Sequence, residues 1–145
     1  MTDAVGIVIE YINEAVQKSD IMGLSVCRTS DFENSVGFPL ITVEDIGNSE
    51  ITTFSPLYET EVLSSCGLQF NVFANAMSIN DKIYSAKEVC RAIVNLIDKL
   101  MHALPSKNTD IKSCVRSGTQ EPMPIDTDMT SFRGVIRFTC TAKYN

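Results

Sequence analysis

Apolar residues recur at spacings of three and four near the start of the chain. Val5, Val8, Ile9, Ile12, Ala15 and Val16 make one stripe, and Glu10, Glu14, Gln17 and Lys18 take the other face. That period predicts an amphipathic helix, capped by Thr2 or Asp3 and stopping near Ser19 and Asp20. The apolar run "IMGLSVCRT" predicts a short strand, and "SDFENSVGF", rich in turn formers, predicts a connection. "PLITVEDI" is β-rich, with Pro39 fitting the first residue of a strand, where no ladder donor is needed. "GNSEITTFSP" reads as a loop or hairpin turn, because Gly47, Asn48 and Ser49 are turn residues.

The pattern then changes to a period of two. "YETEVLSS" and "GLQFNVFANAM" read as two strands flanking Ser65, Cys66 and Gly67. In the second, Leu68, Phe70, Val72, Ala74 and Ala76 share one face, and Gln69, Asn71, Phe73, Asn75 and Met77 share the other. From Ser85 the helical period returns. Ser85 with Glu88 three residues on is a capping box, in which each side chain satisfies a free backbone N–H. Val89, Ile93, Leu96, Ile97, Leu100, Met101 and Leu104 form its apolar face, and Pro105 is expected to end it. A short strand, "DIKSCVRSG", follows, and then an arm, "TQEPMPIDTDMT". In the closing strand, Phe132, Ile136, Phe138, Cys140, Ala142 and Tyr144 share one side, with Gly134 as a gap. Arg133, Val135, Arg137, Thr139, Thr141 and Lys143 share the other side, which is expected to be wet. The order α-β-β-β-α-β-β predicts an α+β fold: a mainly antiparallel sheet packed by an N-terminal helix and a long central helix. Residues 1–145 read as a single domain, with a projecting loop at about 118–131.

Composition narrows the function. With 44% apolar and 21% charged residues the chain reads as an ordinary globular protein. No apolar run approaches the roughly 20 residues that cross a bilayer, and the first residues carry acids where a signal peptide would carry lysine or arginine. No membrane association and no export are expected. The net charge of −6 is uneven: Thr29 to Asp81 holds eight acids and no lysine or arginine, while Lys82 to Asn145 holds ten bases and six acids. This lacks the dense basic patch of a nucleic-acid binder, and suits two different surfaces of one molecule meeting each other. Cys27, Cys66, Cys90, Cys114 and Cys140 are an odd number of thiols, with no spacing that forms a metal knuckle and only His102 to join them. Reduced, mostly buried thiols are expected, with no metal and no cofactor. A serine or cysteine hydrolase would have to use His102, which falls in the last turns of a helix. Neither G-x-S-x-G, G-x-x-x-x-G-K nor G-x-G-x-x-G occurs. Glu59/Glu61 and Asp126/Asp128 are paired carboxylates, but acid–base work also needs a shaped pocket. No catalytic residue is assigned.

The element order, with "FPLITVEDI", "YETEV", "GLQFNVFAN", "SAKEVCRAIVNLIDKLM", "IKSCVRSG", the Pro/Asp arm and "FRGVIRFTCTAKYN", resembles the tail terminator (tail-completion) proteins of long-tailed bacteriophages. The resemblance spans nearly the whole chain and rests on a pattern of elements. It implies a non-enzymatic virion protein at the head-proximal end of the tail, assembled in the host cytoplasm. Such a protein forms a ring, usually a homohexamer, on the last ring of tail tube protein. The ring stops tube growth and presents a surface to the head-tail connector proteins, and DNA passes through without specific binding. On that expectation the subunit interface would draw on Glu59, Glu61, Pro122, Pro124, Asp126, Asp128, Arg133 and Arg137, with the prolines stiffening the arm and Arg133 or Arg137 meeting a neighbour's Glu59 or Glu61. Glu44, Asp45 and Glu50 would line an acidic channel. A head-tail connector or head-completion protein is the sister reading; a small cytosolic ligand-binding module is the reading from another class.

Overall fold

The computed structural model describes residues 3–21, 23–34, 37–54 and 60–143, with the backbone alone at 32–34, 48–54 and 60–62. Helix α1, Ala4–Gln17, begins at Asp3, whose carboxylate accepts from the Gly6 N–H at 3.0 Å. The same carboxylate pairs with Arg28 at 2.7 Å, tying the helix to the end of strand β1, Ser25–Arg28. A short 3-10 helix, Thr29–Asn34, leads towards strand β2, Leu40–Phe54, and strand β3 runs Thr60–Asn75. Strands β4, Met77–Ile79, and β5, Lys82–Tyr84, form a separate hairpin. Its two-residue turn is Asn80-Asp81, both with positive φ (51° and 66°), as tight hairpin turns require. Helix α2, Ala86–Lys107, precedes strands β6, Ile111–Pro124, and β7, Ser131–Lys143.

The main sheet has the order β1-β2-β3-β7-β6. Among the described residues only β1 and β2 pair parallel; the remaining ladders are antiparallel. The α+β fold therefore stands, and so does the predicted order once the β4–β5 hairpin is added. Both α-helices pack on one face. Val5, Val8, Ile12 and Val16 of α1 and Val89, Ile93, Ile97, Met101 and Leu104 of α2 meet Leu68, Phe70 and Val72 of β3 and Ile136 and Phe138 of β7. The Tyr11 hydroxyl donates to the Leu100 carbonyl at 2.8 Å and joins the helices. Ser85 and Glu88 form the expected reciprocal cap, at 3.2 and 3.3 Å.

Several expectations about strands and ends need correcting. Ser65, Cys66 and Gly67 do not separate two strands, and Gly47, Asn48 and Ser49 do not form a turn. Gly47 and Gly67 face each other across one ladder, beside a register shift between Asp45 and Gly47. Gly67 serves close approach: a Cβ there would stand 2.9 Å from Ile46 Cγ1. Pro105 lies inside α2, which continues to Lys107. Proline forfeits one backbone bond, but its φ is helical, and the Asn108 N–H still reaches the Leu104 carbonyl at 3.0 Å. The "arm" is strand β6 as far as Pro124, so the loop between β6 and β7 is only residues 125–130. Finally, Val135 is buried on the side of β7 expected to be wet, and Ala76, expected on the apolar side, falls beyond the end of β3 and is exposed. Tyr144 lies outside the described residues.

Candidate self-association surface

Strand alternation sends every second side chain of β2, β3 and β7 to the face turned away from α1 and α2. There the ladder sets Thr42 beside Asn71, Glu44 beside Gln69, and Arg137 on the far side of Gln69. The result is one connected polar network. Arg133 donates to Asn71 Oδ1 at 2.6 Å, and Arg137 Nε donates to Gln69 Oε1 at 2.7 Å. The Gln69 amide donates to Glu44 at 3.0 Å and to Asn71 at 3.1 Å. The Asn71 amide is shared between Thr42 Oγ1 at 3.2 Å and Glu44 at 3.3 Å. Thr42 and Asn71 are almost fully buried, so these bonds satisfy groups that would be costly to leave unmade. An open groove of about 590 Å³ runs along the network, between Thr42, Glu44, Asn71 and Arg133 on the polar side and Phe73 and Ile125 on the apolar side.

The β6–β7 hairpin ends at the same face. Its turn is tightly organised: the Ile125 N–H reaches the Ser131 carbonyl at 2.9 Å, and the Thr130 N–H reaches Asp126 Oδ1 at 2.9 Å. The Thr130 hydroxyl also donates to Asp126 and holds that carboxyl below its ordinary range. Around this rigid turn stand large exposed apolar side chains: Met123 (64% exposed), Ile125 (49%) and Met129 (61%). Pro122 falls where the β6–β7 register shifts between Gln120 and Met123, a place that needs no ladder donor. Glu121 pairs with Arg91 of α2 at 2.8 Å, which fastens β6 to the helix and lowers the Glu121 pKa.

The structure brings Glu44, Arg133 and Arg137 together through Gln69 and Asn71. It places Pro124, Asp126 and Asp128 at or beside the hairpin turn, and Pro122 on β6 beside α2. Of the channel candidates, it sets Glu44 and Asp45 apart. Asp45 is on the opposite face from Glu44, near Cys66, whose thiol donates to it at 3.8 Å. Glu50 and Glu61 are placed by their backbone in β2 and β3, and Glu59 lies outside the described residues. Sequence reasoning missed Thr42, Gln69 and Asn71 as network members, because their partners depend on register. It also passed over Met123, Ile125 and Met129, although three apolar residues interleaved with Pro and Asp were a readable signal.

The thiols are arranged more closely than the sequence implied. Cys66, Cys140 and Cys114 stand side by side across β3, β7 and β6, with the Cys114 and Cys140 sulfurs 3.1 Å apart. Burial pushes the Cys66 thiol up to about 12, with Asp45 adding to it, and pushes the Cys90 thiol up to about 11. Among the described residues no group of three or more His, Cys, Asp or Glu is placed to hold a metal ion. His102 is exposed on α2, its Nδ1 2.7 Å from the Asp98 carbonyl. No described helix is long and apolar enough to cross a membrane. The chain matches no protein-family model and no curated protein.

Proposed function

We propose that this protein is a non-catalytic virion subunit that joins copies of itself in a ring, a homohexamer. The ring caps the phage tail tube, stops its growth and offers a surface for head attachment, and DNA passes through it unread. The element order carries the likeness to tail terminators. The observation that most supports self-association is the apolar end of the β6–β7 hairpin, held rigid by Asp126 and exposed at Met123, Ile125 and Met129. A rigid apolar element loses little entropy on docking, and exposed apolar clusters mark interaction sites. The network behind it offers Arg133 and Arg137 as directional partners for a neighbour's acids. The test is negative-stain imaging of purified tail tubes with the protein. Blunt, capped tubes of fixed length support the reading; tubes that keep growing with bare ends refute it, and binding to the portal side points to a head-tail connector.

A second reading, a small ligand-binding module, is favoured by the groove of about 590 Å³ with polar groups facing Phe73 and Ile125. A small molecule that raises the melting temperature without any change in sedimentation would support it.

A further inference from the structure

A sheet of this kind has two edges, and each leaves backbone donors and acceptors without ladder partners. At one edge lies β6. Its ladder with β7 shifts register at Ile111/Ser113, Arg116/Gly118 and Gln120/Met123, and it carries Lys112, Pro122 and Pro124. Bulges, lysines and prolines are the devices that keep an edge from pairing indiscriminately. Its longest regular stretch is Ser113–Arg116, bounded by Lys112 and Arg116.

The other edge is different. β1 covers β2 only from Leu40 to Val43. Beyond that, β2 keeps unbroken register with β3 from Gly47↔Gly67 to Phe54↔Thr60, and among the described residues no strand lies on its outer side. From Asn48 to Phe54 there is no Lys, Arg or Pro, and Ile51, Thr52 and Thr53 are β-branched. This length of edge carries a single charge, Glu50, and no lysine, proline or bulge.

We propose that the open edge Asn48–Phe54 receives strand β6 of a second copy, so that the sheet continues from subunit to subunit. The inference rests on the ring reading and adds a second contact to that of the hairpin end. Direction selects this occupant. β6 runs antiparallel to β2 within one subunit, because each ladder between them (β2–β3, β3–β7, β7–β6) is antiparallel. A copy in the same orientation therefore presents β6 antiparallel to the open edge, in the more stable ladder geometry. Each subunit then gives one edge and takes the other, the head-to-tail contact that closes rings. Charge selects it too. The β2 side carries Asp45 and Glu50, with Glu61 opposite Thr53 on β3, whereas the β6 side carries Lys112 and Arg116, the latter also paired with Asp98 of α2. Pairing two open β2 edges would gather acids of one sign, and like charges across an interface disfavour it.

The test is zero-length carbodiimide cross-linking of the full chain, alone and on tail tubes, with peptide mass spectrometry. Within one subunit Lys112 and Glu50 lie on strands three spacings apart, roughly 14 Å, too far for a direct amide. A Lys112 amide to Glu50 or Asp45, formed between differently isotope-labelled copies, is the expected product. Lys112→Glu alone and Glu50→Lys alone should each weaken association at least about tenfold, and the double variant should recover it, as a complementary pair would. Association that proceeds without this cross-link and ignores both charge changes would overturn the edge pairing and leave the ring standing. A chain that stays monomeric and leaves tubes uncapped would overturn both.

Discussion

On the face of the sheet beneath the helices, Phe70 and Phe138 meet edge to face with centroids 5.9 Å apart. On the opposite face, one residue along the same two strands, Gln69 and Arg137 share a hydrogen bond of 2.7 Å. The same backbone supports both, because the strand period of two sends neighbours to opposite sides. The covered face is held by non-directional apolar burial, which depends on volume and tolerates no gap. The outer face is held by bonds with direction, in which Glu44, Gln69, Asn71, Arg133 and Arg137 hold one another in place. A network of that kind can exchange partners at a contact without unfolding the subunit. The covered face is therefore sensitive to volume, and the outer face to the loss of any one partner.

The largest effect should come from emptying the covered face. Phe138→Ala removes a fully buried ring and should cost about 3–5 kcal/mol in denaturant unfolding; a loss below about 1 kcal/mol would deny that this face carries the fold. Overfilling it comes next. A Cβ at Gly134 would stand 2.8 Å from Cys90 Sγ and 3.1 Å from Val94 Cγ2, so Gly134→Ala should cost about 1–3 kcal/mol in the same measurement. Asn71→Leu removes the hub of the outer network and leaves Thr42 and Arg133 without a partner each, at about 1–3 kcal/mol. If Asn71→Leu were neutral, the outer face would be merely solvated, and the contrast between the faces would fail. Alkali probes the covered face more gently. The folded state holds the Cys90 and Cys66 thiols at about 11 and about 12, above the unfolded value of roughly 8.5. The unfolded chain thus gives up its protons first. The stability linked to these thiols is whole below that value and falls as pH rises through about 11 and about 12. Melting temperatures across this range should drop less steeply in Cys66→Ser than in the parent chain.

Much of the covered face was legible in the sequence. The stripes of α1 and α2, the Ser85–Glu88 cap, and the alternation from Leu68 to Ala74 and from Ile136 to Ala142 each report a local period, and burial follows from period. The outer face was half legible. Gln69, Asn71, Arg133 and Arg137 were assigned to polar sides, yet their joining depends on the β3–β7 register, which no local pattern encodes. Glycine misled in two places, since Gly47 and Gly67 resemble turn residues one at a time and act as a cross-strand pair. The β4–β5 hairpin was missed because three-residue strands are too short to show a period, although Asn80-Asp81 is a recognisable turn. Pro122 and Pro124 suggested a free arm, whereas a bulge lets a proline sit within an edge strand.

The central claim is that this molecule acts by fitting against its own copies, through the end of the β6–β7 hairpin. Sedimentation velocity on the full chain and on the triple variant Met123→Ser, Ile125→Ser, Met129→Ser, each with and without tail tubes, tests it most directly. The account predicts a discrete ring-sized species for the parent chain, free or on the tubes, and a folded monomer for the variant. A parent chain that stays monomeric under every condition, or a variant that assembles as well as the parent, would contradict it.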